Sequence, residues 1–168
     1  MDFWNLATAP GQHRSPGSTS VRVMFAQKAF VVSDDRLLMV HKRESDPYHP
    51  GLWEVPGGRM KAGGEDLDEH IRREVREETG IEIEAGPPFA LWQWDLDLPG
   101  TGARDHVIAV ARICTPVAGE LTTMNQQPGD HLSEVRWVPI EHLHEYKLIP
   151  DLHPAMDDFL AAHARPGG

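Results

Sequence analysis

GRMKAGGEDLDEHIRREVREETGI, from Gly58 to Ile81, is the stretch on which the fold turns. Leu67, Ile71 and Val75 recur in it every four residues, the spacing of an apolar stripe along an α-helix. Acids crowd the first turn, where the helix dipole favours them, and Gly80 supplies a C-terminal stop. The same helix carries Glu74, Glu77 and Glu78 almost side by side. Like charges at this spacing destabilise a helix by a few tenths of a kcal/mol per pair, so something must offset the repulsion.

On a helical wheel of about 100° per residue, Glu74 falls about 60° from Ile71, and Glu77 about 60° beyond Glu74. These two flank the apolar stripe. Glu78 projects between Ile71 and Leu67, where an unpaired carboxylate costs several kcal/mol to bury. Two readings follow. The helix face is solvated, its acids paired with Arg72, Arg73 and Arg76 and Glu78 released by fraying of the last turn; or the carboxylate oxygens hold a divalent cation, which converts repulsion into attraction. The context upstream favours the second. Pro56-Gly57-Gly58 reads as a turn whose missing Cβ atoms let backbone approach an ion or a phosphate.

Outward from this segment the chain alternates strands and loops. VRVMFAQKAFVVSDDRLLMVHKR, from Val21 to Arg43, reads as two strands joined at Ser33-Asp34-Asp35, and LWEVPG as a short strand stopped by the glycine turn. IEIEAG and FALWQWDLDL read as two alternating strands, HVIAVARICTPV as a buried one and SEVRWVPI as the closing one, with a helix after Pro150. Strands on both sides of one long helix, with another helix at the end, predict an α/β fold in which a mixed sheet lies between helices. Residues 1–20, with the Pro-, Gly- and Ser-rich run APGQHRSPGSTS, are expected to be a flexible arm before one domain over residues 21–164.

Composition narrows the function classes. The 168 residues suit a single domain, and a net charge of −10 argues against binding a nucleic-acid polymer. No apolar run approaches the ~20 residues that span a bilayer, and the N-terminus lacks the pattern of a signal peptide, so no membrane partner is expected. Cys114, the one cysteine, sits among apolar residues and reads as a strand thiol, which fits a cytoplasmic protein.

With these residues in view, the segment resembles the signature of the Nudix hydrolases: Gly, five residues, Glu, seven residues, then Arg-Glu-apolar-any-Glu-Glu-any-Gly-apolar. Glu65, Arg73, Glu74, Val75, Glu77, Glu78, Gly80 and Ile81 all match; the departure is one extra residue between Gly58 and Glu65. The resemblance implies an αβα sandwich and a pyrophosphohydrolase of the MutT-like kind. Its substrate is a small nucleotide-type molecule in which a nucleoside diphosphate is linked to another group: a nucleoside triphosphate, ADP-ribose or a nucleotide sugar. It implies that Glu74, Glu77 and Glu78 bind Mg²⁺ or Mn²⁺, with a carbonyl of Gly57 or Gly58 completing the shell at the substrate. Arg73 then orients an acid, and Glu65 pairs near the loop. Glu74 is the first choice for the general base and Asp130, in QQPGDHLSE, the second. Many relatives are dimers, so a homodimer is open. The competing class is a non-catalytic nucleotide sensor on the same fold. The intact acid set argues against it.

His41, His106 and His131 have no metal-ligand spacing and read as surface or strand residues. Trp92 and Trp94 share one face of their strand, suited to core packing or to stacking on a base. Tyr48 and His49 are weaker candidates for substrate contact. Pro99 is a weak pointer towards ADP-ribose cleavage.

Overall fold

A computed structural model describes residues 21–61, 63–98 and 100–163. The expected N-terminal arm, Pro99 and Ala164, the last residue of the expected domain, lie outside these. The hairpin of β1 (Val21–Ser33) and β2 (Arg36–Lys42) turns at Asp34 and Asp35, whose φ angles of 48° and 58° suit a tight two-residue turn. Next come β3 (Trp53–Glu54), β4 (Gly57–Arg59), α1 (Leu67–Thr79), β5 (Ile81–Asp97), β6 (Arg104–Gly119) and β7 (Leu132–Pro139). Short 3-10 turns at Ile140–Glu145 and Pro150–Leu152 lead into α2 (His153–His163). The seven-stranded sheet runs β3-β2-β1-β6-β5, with β4 paired to β1 and β7 to β2. β1 and β6 are parallel and the other pairs antiparallel, so the sheet is mixed as expected.

Alternation along β1 separates the two faces. Ala29 and Val31 pack with Ile71 and Val75 of α1, whereas Phe30 packs with Phe159 and Met156 of α2. The sandwich of helices about one sheet is therefore real. α1 starts at a capping box, in which the Asp66 side chain accepts from Glu69 N and the Glu69 side chain accepts from Asp66 N. It ends at Gly80 in the left-handed conformation. No helix among the described residues is long and apolar enough to cross a membrane. Cys114 is buried on β6, as expected, and burial pushes its thiol up.

Three sequence expectations are corrected. Leu67 is 49% exposed, because the first turn of α1 overhangs the packed face. IEIEAG and FALWQWDLDL form one strand, β5: its register shifts around Pro88, yet pairing with β6 resumes beyond it. Prolines are tolerated there because β5 is an edge strand. Gly57 and Gly58 are not a turn but strand β4, paired with Lys28 and Gln27. Gly57 has φ 141°, and a Cβ on it would stand 2.2 Å from the carbonyl oxygen of Gln27. Glycine is required for close passage of one strand along another.

Beneath β4, three strands are tied by buried charge. Lys28 of β1 donates to Glu54 Oε2 of β3 at 2.7 Å, and Lys42 of β2 lies 3.0 Å from Glu54 Oε1. Burial alone would raise the Glu54 carboxyl, but the two ammonium groups overcome it and hold the carboxyl down at about 2. Removing one partner of a buried pair costs about 3–5 kcal/mol. Glu54→Gln is therefore expected to lower the unfolding free energy by about that amount at pH 7. Because the folded value lies below the ordinary 4.5, this stabilisation is present above pH 4.5 and lost as pH falls towards 2. Urea titrations across that range should show the gap between wild type and variant closing as acid is added. Gly57→Ala should destabilise by about 2 kcal/mol or more in the same assay at neutral pH.

Candidate active site

The repulsion along α1 is resolved by one guanidinium. Arg73 Nε and Nη2 donate to the two oxygens of Glu65, the latter at 3.0 Å. Nη2 also donates to Glu74 Oε1 at 3.0 Å, and Nη1 to Glu77 Oε2 at 2.9 Å. The Glu65 bond contributes most to holding the Arg73 pKa far up, with Glu74 and Glu77 adding to it. Arg72 and Arg76 stay at the periphery, 4.0 Å from Asp68 and 3.7 Å from Glu82. Arg73 takes one oxygen each from Glu74 and Glu77, leaving Glu74 Oε2 and Glu77 Oε1 without a hydrogen bond among the described residues.

Glu78 does not fray away. It is 3% exposed, and its Oε2 accepts from Gly57 N at 2.9 Å. Burial, and then the charge of Glu54, push its carboxyl up to about 8 against the pull of Lys28, Lys42 and the Gly57 amide. At neutral pH much of this group keeps its proton, which is how the chain tolerates it. Gly58 makes room for another member of the set: a Cβ there would stand 2.7 Å from Glu74 Oε2. Burial would raise the Glu74 carboxyl too, but contacts from His70 and Arg73 outweigh it and hold it below the usual range.

Gly57, Gly58, Arg73, Glu74, Glu77, Glu78 and Asp130, the residues the sequence nominated for metal, substrate and catalysis, all line one cavity of about 490 Å³, whereas Glu65 and Trp92 do not. Asp130 arrives on the loop before β7. Its Oδ2 accepts from Gln127 N, 2.6 Å away, so it is both a turn residue and a wall of the cavity, and burial raises its carboxyl. Tyr48 and His49 also line the cavity, with His49 Nε2 3.4 Å from Asp151 Oδ2. His41 and His106 are engaged elsewhere, by Ser133 and Asp95, and His131 is absent from the wall.

Part of the wall is apolar, formed by Met24, Ala26, Trp94, Leu96 and Val107. Trp94 stacks on Trp92 with ring centres 6.0 Å apart and planes 26° from parallel. Trp92 is the anchored ring of the pair: its Nε1 donates to the Asp151 carbonyl at 2.7 Å. Sequence reasoning missed Lys28, Lys42, Glu54 and His70. Gln27-Lys28 inside the apolar run of β1 was the available signal, since polar residues on a buried strand need partners.

Among the described residues, no group of three His, Cys, Asp or Glu side chains already stands close enough to hold an ion. The donor chemistry nonetheless suits a hard divalent cation. Two carboxylates have a free oxygen beside the cavity, and a third is buried next to lysines already paired with Glu54.

Comparison with known proteins bears on the family and the fold. The sequence profile of the NUDIX domain matches residues 24–162. An ADP-ribose pyrophosphatase of Methanocaldococcus jannaschii is 26% identical over 113 residues, which cover 67% of this chain and 60% of that protein. The match thus spans less than two thirds of the archaeal relative. The nucleoside triphosphatase NudI of an Enterobacter species is 28% identical over 125 residues, 70% of this chain and 84% of that one. Among solved structures, a MutT NUDIX hydrolase of Burkholderia pseudomallei superposes with a TM-score of 0.65 at 23% identity, over 82% of this chain and 98% of that chain. With the profile covering most of its length and the same fold in a MutT relative, the chain belongs to the NUDIX domain family.

Proposed function

We propose that this protein hydrolyses a pyrophosphate bond in a nucleoside diphosphate derivative, with Mg²⁺ or Mn²⁺ as cofactor. The observation that carries the reading is that Glu74, Glu77 and Glu78 line the same cavity as an apolar group that includes Trp94. A cavity of about 490 Å³ is in the range of small-ligand pockets. The two relatives named above act, by their names, on ADP-ribose and on nucleoside triphosphates. A pyrophosphate linkage is common to both substrates.

Glu74, Glu77 and Glu78 would hold the ion, with backbone of Gly57 or Gly58 beside them. When bound, the ion supplies screening of the diphosphate and acidification of water. The chain's own groups do the rest. Arg73 fixes the rotamers of Glu74 and Glu77, so that the geometry does not have to be found in each encounter. Glu74, ionised at neutral pH, presents Oε2 on the Gly58 side as the acceptor for the proton of attacking water. Asp130 is the second candidate for that role, because its raised carboxyl is the stronger base once ionised. The new bond joins water oxygen to phosphorus, and the bridging oxygen leaves with the other phosphate. Trp94 receives the nucleobase by stacking, which tolerates any planar base.

The decisive experiment is a panel of nucleoside triphosphates, ADP-ribose and nucleotide sugars, incubated with Mg²⁺, Mn²⁺ or chelator, with products identified. Metal-dependent release of a mononucleotide or phosphate is expected. Metal-independent nucleotide binding with no turnover of any substrate would establish the sensor instead. In the same assay Glu77→Gln should lower turnover at least ~100-fold while the thermal transition stays near wild type. Trp94→Ala should raise KM for a nucleotide substrate at least ~5-fold with kcat little changed, the pattern of lost uniform binding.

A further inference from the structure

His70 is fully buried in α1, and its Nε2 makes no hydrogen bond among the described residues. A buried donor without a partner costs about 1–3 kcal/mol, so its surroundings should say what it is for. The other ring nitrogen settles which atom carries the proton. Gln27 Nε2 donates to the Leu67 carbonyl at 2.8 Å, and Gln27 Oε1 accepts from Arg112 Nη1 at 3.4 Å. With both ends of the amide so fixed, the contact of 2.9 Å between Gln27 Nε2 and His70 Nδ1 has the amide as donor and Nδ1 as acceptor. The imidazole proton therefore sits on Nε2. That atom is one helical turn from Glu74, 3.5 Å from Oε1.

Glu74 Oε1 is thus approached by two protein donors, Arg73 Nη2 at 3.0 Å and His70 Nε2–H at 3.5 Å, while Oε2 lies over Gly58. We infer that His70 is a positioning residue: locked in the Nε2–H tautomer by Gln27, it holds Oε1 of Glu74 from behind and turns Oε2 towards the cavity. His70 itself is not part of the cavity wall, so it touches neither substrate nor ion. The closing movement is a few tenths of an ångström, from 3.5 Å to ordinary hydrogen-bond length. A donor behind a ligating carboxylate fixes its orientation, and losing such a partner weakens metal affinity about 10–100-fold. The consequence for the ion rests on the reading of Glu74 above. The His70–Glu74 pairing does not.

The test has two arms. Long-range ¹H–¹⁵N NMR of histidine-labelled, metal-free protein should place the His70 proton on Nε2, and Glu74→Gln should move that Nε2 resonance. An Nδ1–H tautomer, or a His70 signal indifferent to Glu74→Gln, overturns the inference. In the second arm Mn²⁺ binding is followed by electron paramagnetic resonance. His70→Leu should bind Mn²⁺ at least ~10-fold more weakly, and His70→Gln, whose amide can reach the same oxygen, should recover much of the loss. Wild-type Mn²⁺ affinity in a folded His70→Leu would refute the positioning role. If His70→Leu does not fold, the tautomer and its response to Glu74→Gln decide. Failure of the wild-type protein itself to bind Mn²⁺ would count against the proposed function, and the NMR arm would still judge the pairing.

Discussion

The close approach of α1 to β4 is the constraint on which the site depends. Gly57 presents its amide to Glu78, and Gly58 leaves space for Glu74, only because neither has a side chain between strand and helix. β4 in turn can run so near β1 only because Gly57 brings no Cβ against the Gln27 carbonyl. Two adjacent glycines thus set the depth at which the helix rides on the sheet. That depth decides how far its carboxylates reach into the cavity.

Charge is arranged in tiers around this contact. At the outer tier Arg73 gathers Glu65, Glu74 and Glu77, all partly exposed, where charge-assisted hydrogen bonds are strong and solvent still screens the remainder. At the inner tier Lys28 and Lys42 are taken by Glu54, leaving Glu78 with a single amide donor among the described residues. The two tiers differ: the outer carboxylates share one guanidinium, while the inner one is buried and its carboxyl is pushed up. Members of both tiers line the same cavity, whose wall also includes Trp94.

Much of this was legible in the sequence where the information is local. The helix from Leu67 to Thr79, its acidic start, its stop at Gly80 and the hairpin turn at Asp34-Asp35 follow from spacing and turn chemistry. The carboxylate set and its arginine were legible because a long motif fixes them together. What escaped depends on distant partners. Pro-Gly-Gly has the composition of a turn, and only β1, far back in the chain, makes a strand of it. Lys28, Lys42 and Glu54 are each unremarkable alone, and their meaning appears when three strands align. His70 sits on the helix the motif describes, but its role needs Gln27, 43 residues earlier. Asp130 was nominated on the promise of a loop, and chain reversal before β7 brings it to the cavity wall.

Glu78 has a consequence for how the chain matures. A carboxyl that retains its proton near neutrality can be enclosed by β4 and α1 although the lysines near it are already paired with Glu54. Assembly of the core therefore need not wait for inorganic supply, unlike small domains that collapse only around their metal. A newly made copy can thus close strand and helix over this side chain with a single exchangeable hydrogen in place of a paired charge.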